Sequence, residues 1–172
     1  MHIAIRADAS LHMGSGHVMR CLALANALKK KGADISFICR DFPGHFGDRI
    51  AAEGHQLNLL PPGTQAIKPE ADPIQVPPHT TWLGETLETD LAQTQAVLKG
   101  KLFDWLIVDH YSLDGRWENI MRKYSRKVMV IDDLADRSHD CDLLLDQTLG
   151  RSEERYSSQV PVHCVVLVGS KY

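Results

Sequence analysis

The chain has 172 residues, 44% of them hydrophobic and 24% charged, enough for one well-packed core and too few for two ordinary domains. A net charge of -3 leaves no electrostatic footprint for nucleic acid or an anionic membrane, because either partner favours clustered lysine and arginine. No stretch approaches the roughly 20 apolar residues of a bilayer span, and residues 1–8 lack the pattern of a secretory leader, so a cytoplasmic location is expected.

Taken in chain order, His2 to Ala7 reads as a first strand. Residues 16–31 read as a helix, because Val18, Cys21, Leu22, Ala25 and Leu28 recur at spacings of three and four. The basic run Lys29 to Lys31 suits its C-terminal end, and Gly32 is the expected stop. Residues 35–39 form a second strand, 46–53 a short helix ended by Gly54, and Gln56 to Leu60 a third strand. Prolines at 61, 62, 69, 73, 77 and 78 then exclude both helix and central strand, which predicts a long surface loop.

Helical spacing resumes through Leu83, Leu87, Leu91 and residues 97–98, and residues 103–108 carry the nearly continuous apolar run of a strand buried on both faces. A helix over 117–124 and strands over 128–131, 142–145 and 164–168 complete the pattern. Alternating strands and helices of this kind predict a single α/β domain over 1–172, a Rossmann-like parallel sheet flanked by helices. The chain closes on Gly169 to Tyr172 straight after an apolar strand, so further chain is expected downstream. Cys21, Cys39, Cys141 and Cys164 fit neither a CxxC nor a zinc spacing and read as buried thiols.

The richest segment runs from Arg6 to Cys21, where the first strand passes into the first helix. Open α/β sheets bind ligands at that end of their strands. Gly14 and Gly16 permit a tight turn, and with Ser15 they open a helix whose free amides favour an anion or an oxygen-rich ligand. A dinucleotide fingerprint fails here, since its third glycine is replaced by Met19 and no acidic residue closes the second strand, where Arg40 stands. His17 lies in the first helical turn, where the helix dipole disfavours imidazolium; a neutral ring there can accept a proton from water, or can simply pack against the turn. Asp8 can orient it, accept a hydroxyl, or cap the loop, and Arg6 can meet a carboxylate or a phosphate.

Asp109, His110 and Tyr111 sit at the end of the strongest strand and are expected near the first cluster, with Ser112 or Asp114 as alternative helix caps. The acidic stretch 132–142 could hold Mg²⁺, but it lacks a phosphate cradle and reads as capping or as pairing with Arg137; no metal and no cofactor are expected. A carboxylate pair of the glycosidase kind could also come from these loops, at a separation that sequence does not fix. His45, His55, His79 and His163 are scattered and read as background.

Three ordered blocks carry a further signal: RADASLHMGSGHVMRCLALANAL over 6–28, FDWLIVDHYSLDGRWE over 103–118, and VMVIDDLADRSHDCDLLLDQTLG over 128–150. Together they resemble the UDP-sugar hydrolases of pseudaminic acid biosynthesis, a family similar to the two-lobed GT-B glycosyltransferases. The resemblance implies the N-terminal lobe of a GT-B fold, a UDP-sugar substrate, and attack of water on the anomeric carbon of a diacetamido-trideoxy-altrose. It also implies that His17, the histidine of the GxGH turn, activates that water, with Gly14, Gly16 and Arg20 intact around it. In such a fold the nucleotide is held chiefly by the C-terminal lobe, so that lobe is expected as a missing or separately supplied partner. Two rivals are the acceptor-binding lobe of a glycosyltransferase, with His17 deprotonating a sugar hydroxyl, and a non-catalytic fragment that binds no UDP-sugar.

Overall fold

The computed structural model describes residues 1–63 and 79–172. The predicted proline-rich loop therefore lies largely outside the described residues. Seven parallel strands form one sheet in the order β3-β2-β1-β4-β5-β6-β7, with β1 at His2–Ala7, β2 at Asp34–Arg40, β3 at Gln56–Leu60, β4 at Phe103–Asp109, β5 at Ser125–Ile131, β6 at Leu143–Asp146 and β7 at Val165–Val168. The strand order reverses between β1 and β4, and that crevice is where such sheets bind ligands.

Helices cover both faces. Alternation along the strands separates two cores. Ile3, Ile5 and Ala7 of β1 pack with Val18, Cys21, Leu22 and Ala25 of α1 (Gly16–Lys29) and with Ile50 of α2 (Gly47–Ala52). Ala4 faces the other way, toward Leu91 and Leu98 of α3 (Leu87–Leu98) and Trp117 and Met121 of α4 (Gly115–Met121). Among the described residues no helix is long and apolar enough to cross a membrane.

Several local expectations need correction. Helix α1 ends at Lys29, two residues earlier than its pattern suggests, because Gly32 adopts φ +84° and the Ala33 amide bonds back to the Leu28 carbonyl. Leu83 belongs to a separate 3₁₀ turn, Thr80–Leu83, and not to α3. The expected helix over 117–124 starts earlier, with Asp114 accepting the Arg116 amide as its cap, and passes into a 3₁₀ turn at Arg122–Tyr124. Cys21, Cys39 and Cys141 are buried thiols, but Cys164 is only half-buried and its sulfur lies 3.5 Å from that of Cys141.

The same alternation turns charged residues inward. Arg6 and Asp8 share the face of Ala4, as Arg40 shares the face of Ile38, and none of the three has exposed surface. Asp90 of α3 answers them, accepting from Arg6 and Arg40 at 2.7 Å each and from Trp117 Nε1 at 2.9 Å. Asp8 takes the other arm of Arg6 and, at 2.6 Å, the Arg40 backbone amide. Two cations and two carboxylates thus neutralise one another out of contact with water. Removing one member strands its partners, so Asp90→Ala is expected to cost about 3–5 kcal/mol of unfolding free energy, read from urea titration; a loss within about 0.5 kcal/mol, typical of a surface change, would show that the network does not hold the fold.

Candidate functional site

The β1–α1 connection is a tight loop closed by two backbone hydrogen bonds between Ser10 and Gly14, at 2.8 and 3.3 Å. Gly14 adopts φ +78°, a conformation that L side chains rarely take, and this turn delivers Ser15 to the N-cap of α1. Ser15 makes no side-chain cap bond and no acidic residue occupies the first turn, so that turn's amides lack a side-chain partner from the cap. Nothing lies within 4 Å of where a Cβ on Gly16 would stand, so the helix start faces open space.

His17 and Arg20 are one turn apart on α1 and point to the end of β4. Arg20 donates from Nε and Nη2 to the two oxygens of Asp109 at 2.6 Å each, and from Nη1 to Asp133 at 3.1 Å. Tyr111 donates its hydroxyl to Asp133 at 2.7 Å and presents its ring edge-on to His17, with centroids 4.5 Å apart. His17 Nε2 lies 4.0 Å from Asp109 Oδ1, beyond hydrogen-bond range but well within electrostatic reach. Its Nδ1 is buried with no partner. Burial first, then His110 and Arg20, lower the His17 pKa below 6.5 against the pull of Asp109 and Asp133. The imidazole is neutral near pH 7 and carries an unengaged nitrogen.

Burial and the bond to Asp133 push Tyr111 up to about 12, so it remains a donor. Burial alone would raise Asp133, but Tyr111 and Arg20 outweigh it and hold the carboxylate ionised below its ordinary range. Behind His17, His110 stacks at 6.4 Å and 18°, its Nδ1 accepting the Ser112 amide at 3.1 Å and its Nε2 lying 3.1 Å from Asp8 Oδ2.

Seven of the ten expected site residues, Gly14, Ser15, Gly16, His17, Arg20, Asp109 and Tyr111, converge on this crevice. Asp109 has no exposed surface of its own and belongs there through Arg20 and His17, whereas Arg6 and Asp8 pair with each other in the layer beneath and His110 reaches down to Asp8. Trp82, whose ring lies 6.4 Å from His17, and His79, tilted against Trp82 at 4.8 Å, were not expected. His79 is thus part of the aromatic wall and not background; its carbonyl also accepts the Ser112 hydroxyl. The acidic stretch divides: Asp132 pairs with Arg137 at 2.8 Å, while Asp133 joins the site. Beyond Trp82 opens a cleft of about 410 Å³ whose walls include Ser10, Met13, Asp41 and Phe42 but no lysine or arginine among the described residues.

No family model matches the chain. It is 25% identical over 173 aligned positions, covering all of this chain, to the UDP-2,4-diacetamido-2,4,6-trideoxy-beta-L-altropyranose hydrolase of Campylobacter jejuni. The chain spans about half, 51%, of that enzyme's length. Arabidopsis thaliana UGT89C1, solved in complex with UDP, superposes with a TM-score of 0.61 at 13% identity over 98% of this chain and 48% of its own. The calicheamicin glycosyltransferase CalG4 gives 0.50 at 20% identity, over 89% and 34%. The fold is that of the N-terminal Rossmann-like lobe of GT-B glycosyltransferases.

An NMR titration of the ring protons is expected to place the His17 midpoint below 6.5. Because the unfolded chain binds that proton more readily, stability falls as pH drops from 6.5 toward this midpoint. Arg20→Gln removes a cation and frees Asp109, and both changes raise the midpoint. A midpoint at or above 6.5 in the unaltered chain would defeat the neutral-base reading.

Proposed function

We propose that this chain is the base-bearing lobe of a nucleotide-sugar hydrolase that releases UDP from a UDP-activated diacetamido-trideoxy-altrose. The observation that carries the reading is the state of His17: neutral, at the start of a helix, with a carboxylate toward Nε2. The similarity of this whole chain to about half of an altropyranose hydrolase supports the choice of substrate.

In this reading Asp109, 4.0 Å from Nε2, flanks a neutral ring that accepts a proton from water. Water attacks the anomeric carbon, the bond from that carbon to the diphosphate oxygen breaks, and His17 takes the water's proton. UDP is already a good leaving group, so a base and correct placement are the main requirements. Asp109 offsets the imidazolium that forms, while Arg20 holds Asp109 in place through two hydrogen bonds. The helix start at Gly14, Ser15 and Gly16 offers amides to the oxygens of the substrate. Tyr111 walls the reacting centre; Arg6, Asp8 and His110 act from below by fixing the strand ends.

Release of UDP and free sugar is measured first on the chain alone, then with a C-terminal lobe supplied. His17→Asn keeps polarity but removes the base, and turnover is expected to fall by about 10²- to 10⁴-fold. Unchanged turnover takes His17 out of the mechanism. A new glycoside formed with an added sugar acceptor would make the protein a transferase, and a folded sample without UDP-sugar affinity under either condition would make it a non-catalytic module.

A further inference from the structure

Near the β7 edge of the sheet, at the strand ends opposite to those that His17 faces, the segments entering β6 and β7 bring two thiols together. Cys141 is fully buried, Cys164 is half-buried, and their sulfurs stand 3.5 Å apart. Their backbones are held on both sides of this contact. The Cys164 amide bonds to the Pro161 carbonyl at 2.9 Å and the Val165 amide to the Asp142 carbonyl at 3.0 Å. Asp142 in turn accepts from the Val128 amide and from Arg122, each at 2.8 Å. A disulfide needs sulfurs at about 2.05 Å, so closure asks for a shift of about 1.5 Å, within the range of side-chain rotation.

We propose that Cys141 and Cys164 form a peroxide-sensitive pair that closes to an intramolecular disulfide, with Cys164 the attacking and Cys141 the resolving thiol. Exposure sets this order, since only Cys164 can be reached from solvent without opening the core. The contact with Cys164 and burial both hold the Cys141 thiol above its ordinary range, which suits it to the second step. In the first step the Cys164 sulfur attacks one oxygen of hydrogen peroxide. The O–O bond breaks, hydroxide leaves and is protonated to water by the proton Cys164 has given up, and Cys164 becomes a sulfenic acid. Cys141 then attacks that sulfur. The S–O bond breaks, and the departing hydroxide leaves as water with the proton from Cys141. Two thiols are oxidised by two electrons in all, and one peroxide is reduced to two waters.

Cys21 and Cys39 serve as internal references, because both are buried and held above the ordinary thiol range. The full chain is exposed to graded hydrogen peroxide, its remaining thiols are alkylated after unfolding, and peptides are mapped by mass spectrometry. The expected result is a 141–164 cross-link, reversed by dithiothreitol, at peroxide at least about tenfold below that which oxidises Cys21 or Cys39. Cys141→Ser is expected to leave a dimedone-reactive sulfenic acid on Cys164, and Cys164→Ser to protect Cys141. If either variant fails to fold, the map of the unaltered chain decides alone. Cys164 passing to sulfinic acid without a cross-link, Cys164 joining a second chain, or all four thiols oxidising together would each overturn the proposal.

Discussion

The buried quartet of Arg6, Asp8, Arg40 and Asp90 is the constraint on which the arrangement of this molecule depends. Taking four charges out of water carries a desolvation penalty of several kcal/mol per ion, recovered only if each charge meets its partners at good geometry. That condition leaves little freedom. Asp90 must sit where two guanidinium groups and the Trp117 indole reach it, which fixes α3 over β1 and β2 and α4 beside α3. Asp8 must receive both Arg6 and the Arg40 amide, which fixes the point at which the chain leaves β1. A hydrophobic core of the same volume could stabilise the sheet as well, but it would not specify the strand ends so closely.

Those strand ends set the electrostatics of the crevice. Asp8 lies under His110, His110 lies behind His17, and the loop after Asp8 carries the helix start on which His17 stands. The histidine therefore sits between two opposing fields: carboxylates of Asp109 and Asp133 on one side, and Arg20, His110 and the positive end of α1 on the other. Burial is the largest influence on the ring, and His110 and Arg20, the latter bound to both oxygens of Asp109, add to it against that carboxylate's pull, so the ring stays neutral.

Much of the frame was legible because it depends on local pattern. The bounds of β1 and β3 follow from period-two apolar runs, and the stop at Gly32 from its left-handed backbone. The crevice residues from Gly14 to Arg20 were legible for the same reason, since a strand, a glycine turn and a helix follow one another without interruption. What escaped was long-range. Asp90 reads as an ordinary polar residue of an amphipathic helix, and only the sheet's handedness brings it onto Arg6, 84 positions away. Trp82 and His79 sit beside a proline-rich stretch without periodicity, and Asp133 is one of several similar carboxylates whose partners lie in other loops. Arg6 and Asp8 were assigned to the ligand because they border the glycine turn, whereas alternation along β1 directs them to the α3 side.

The charge inventory around His17 also bears on how the proposed reaction would divide between two lobes. A departing diphosphate needs cations or free amides. Arg20 is already engaged by two carboxylates, and the cleft beyond Trp82 offers Asp41, His12 and aromatic and aliphatic walls, without a lysine or arginine among the described residues. Such a cleft is a poor host for phosphate and a reasonable one for a neutral, deoxygenated and N-acylated sugar, whose methyl and acetamido groups favour Trp82, Phe42 and Met13. The nucleotide half of the substrate is then left to the helix-start amides and to whatever packs over them. In the proposed reaction that division would have a physical reason: a nearby cluster of phosphate-binding cations would depress the histidine further and weaken it as a base.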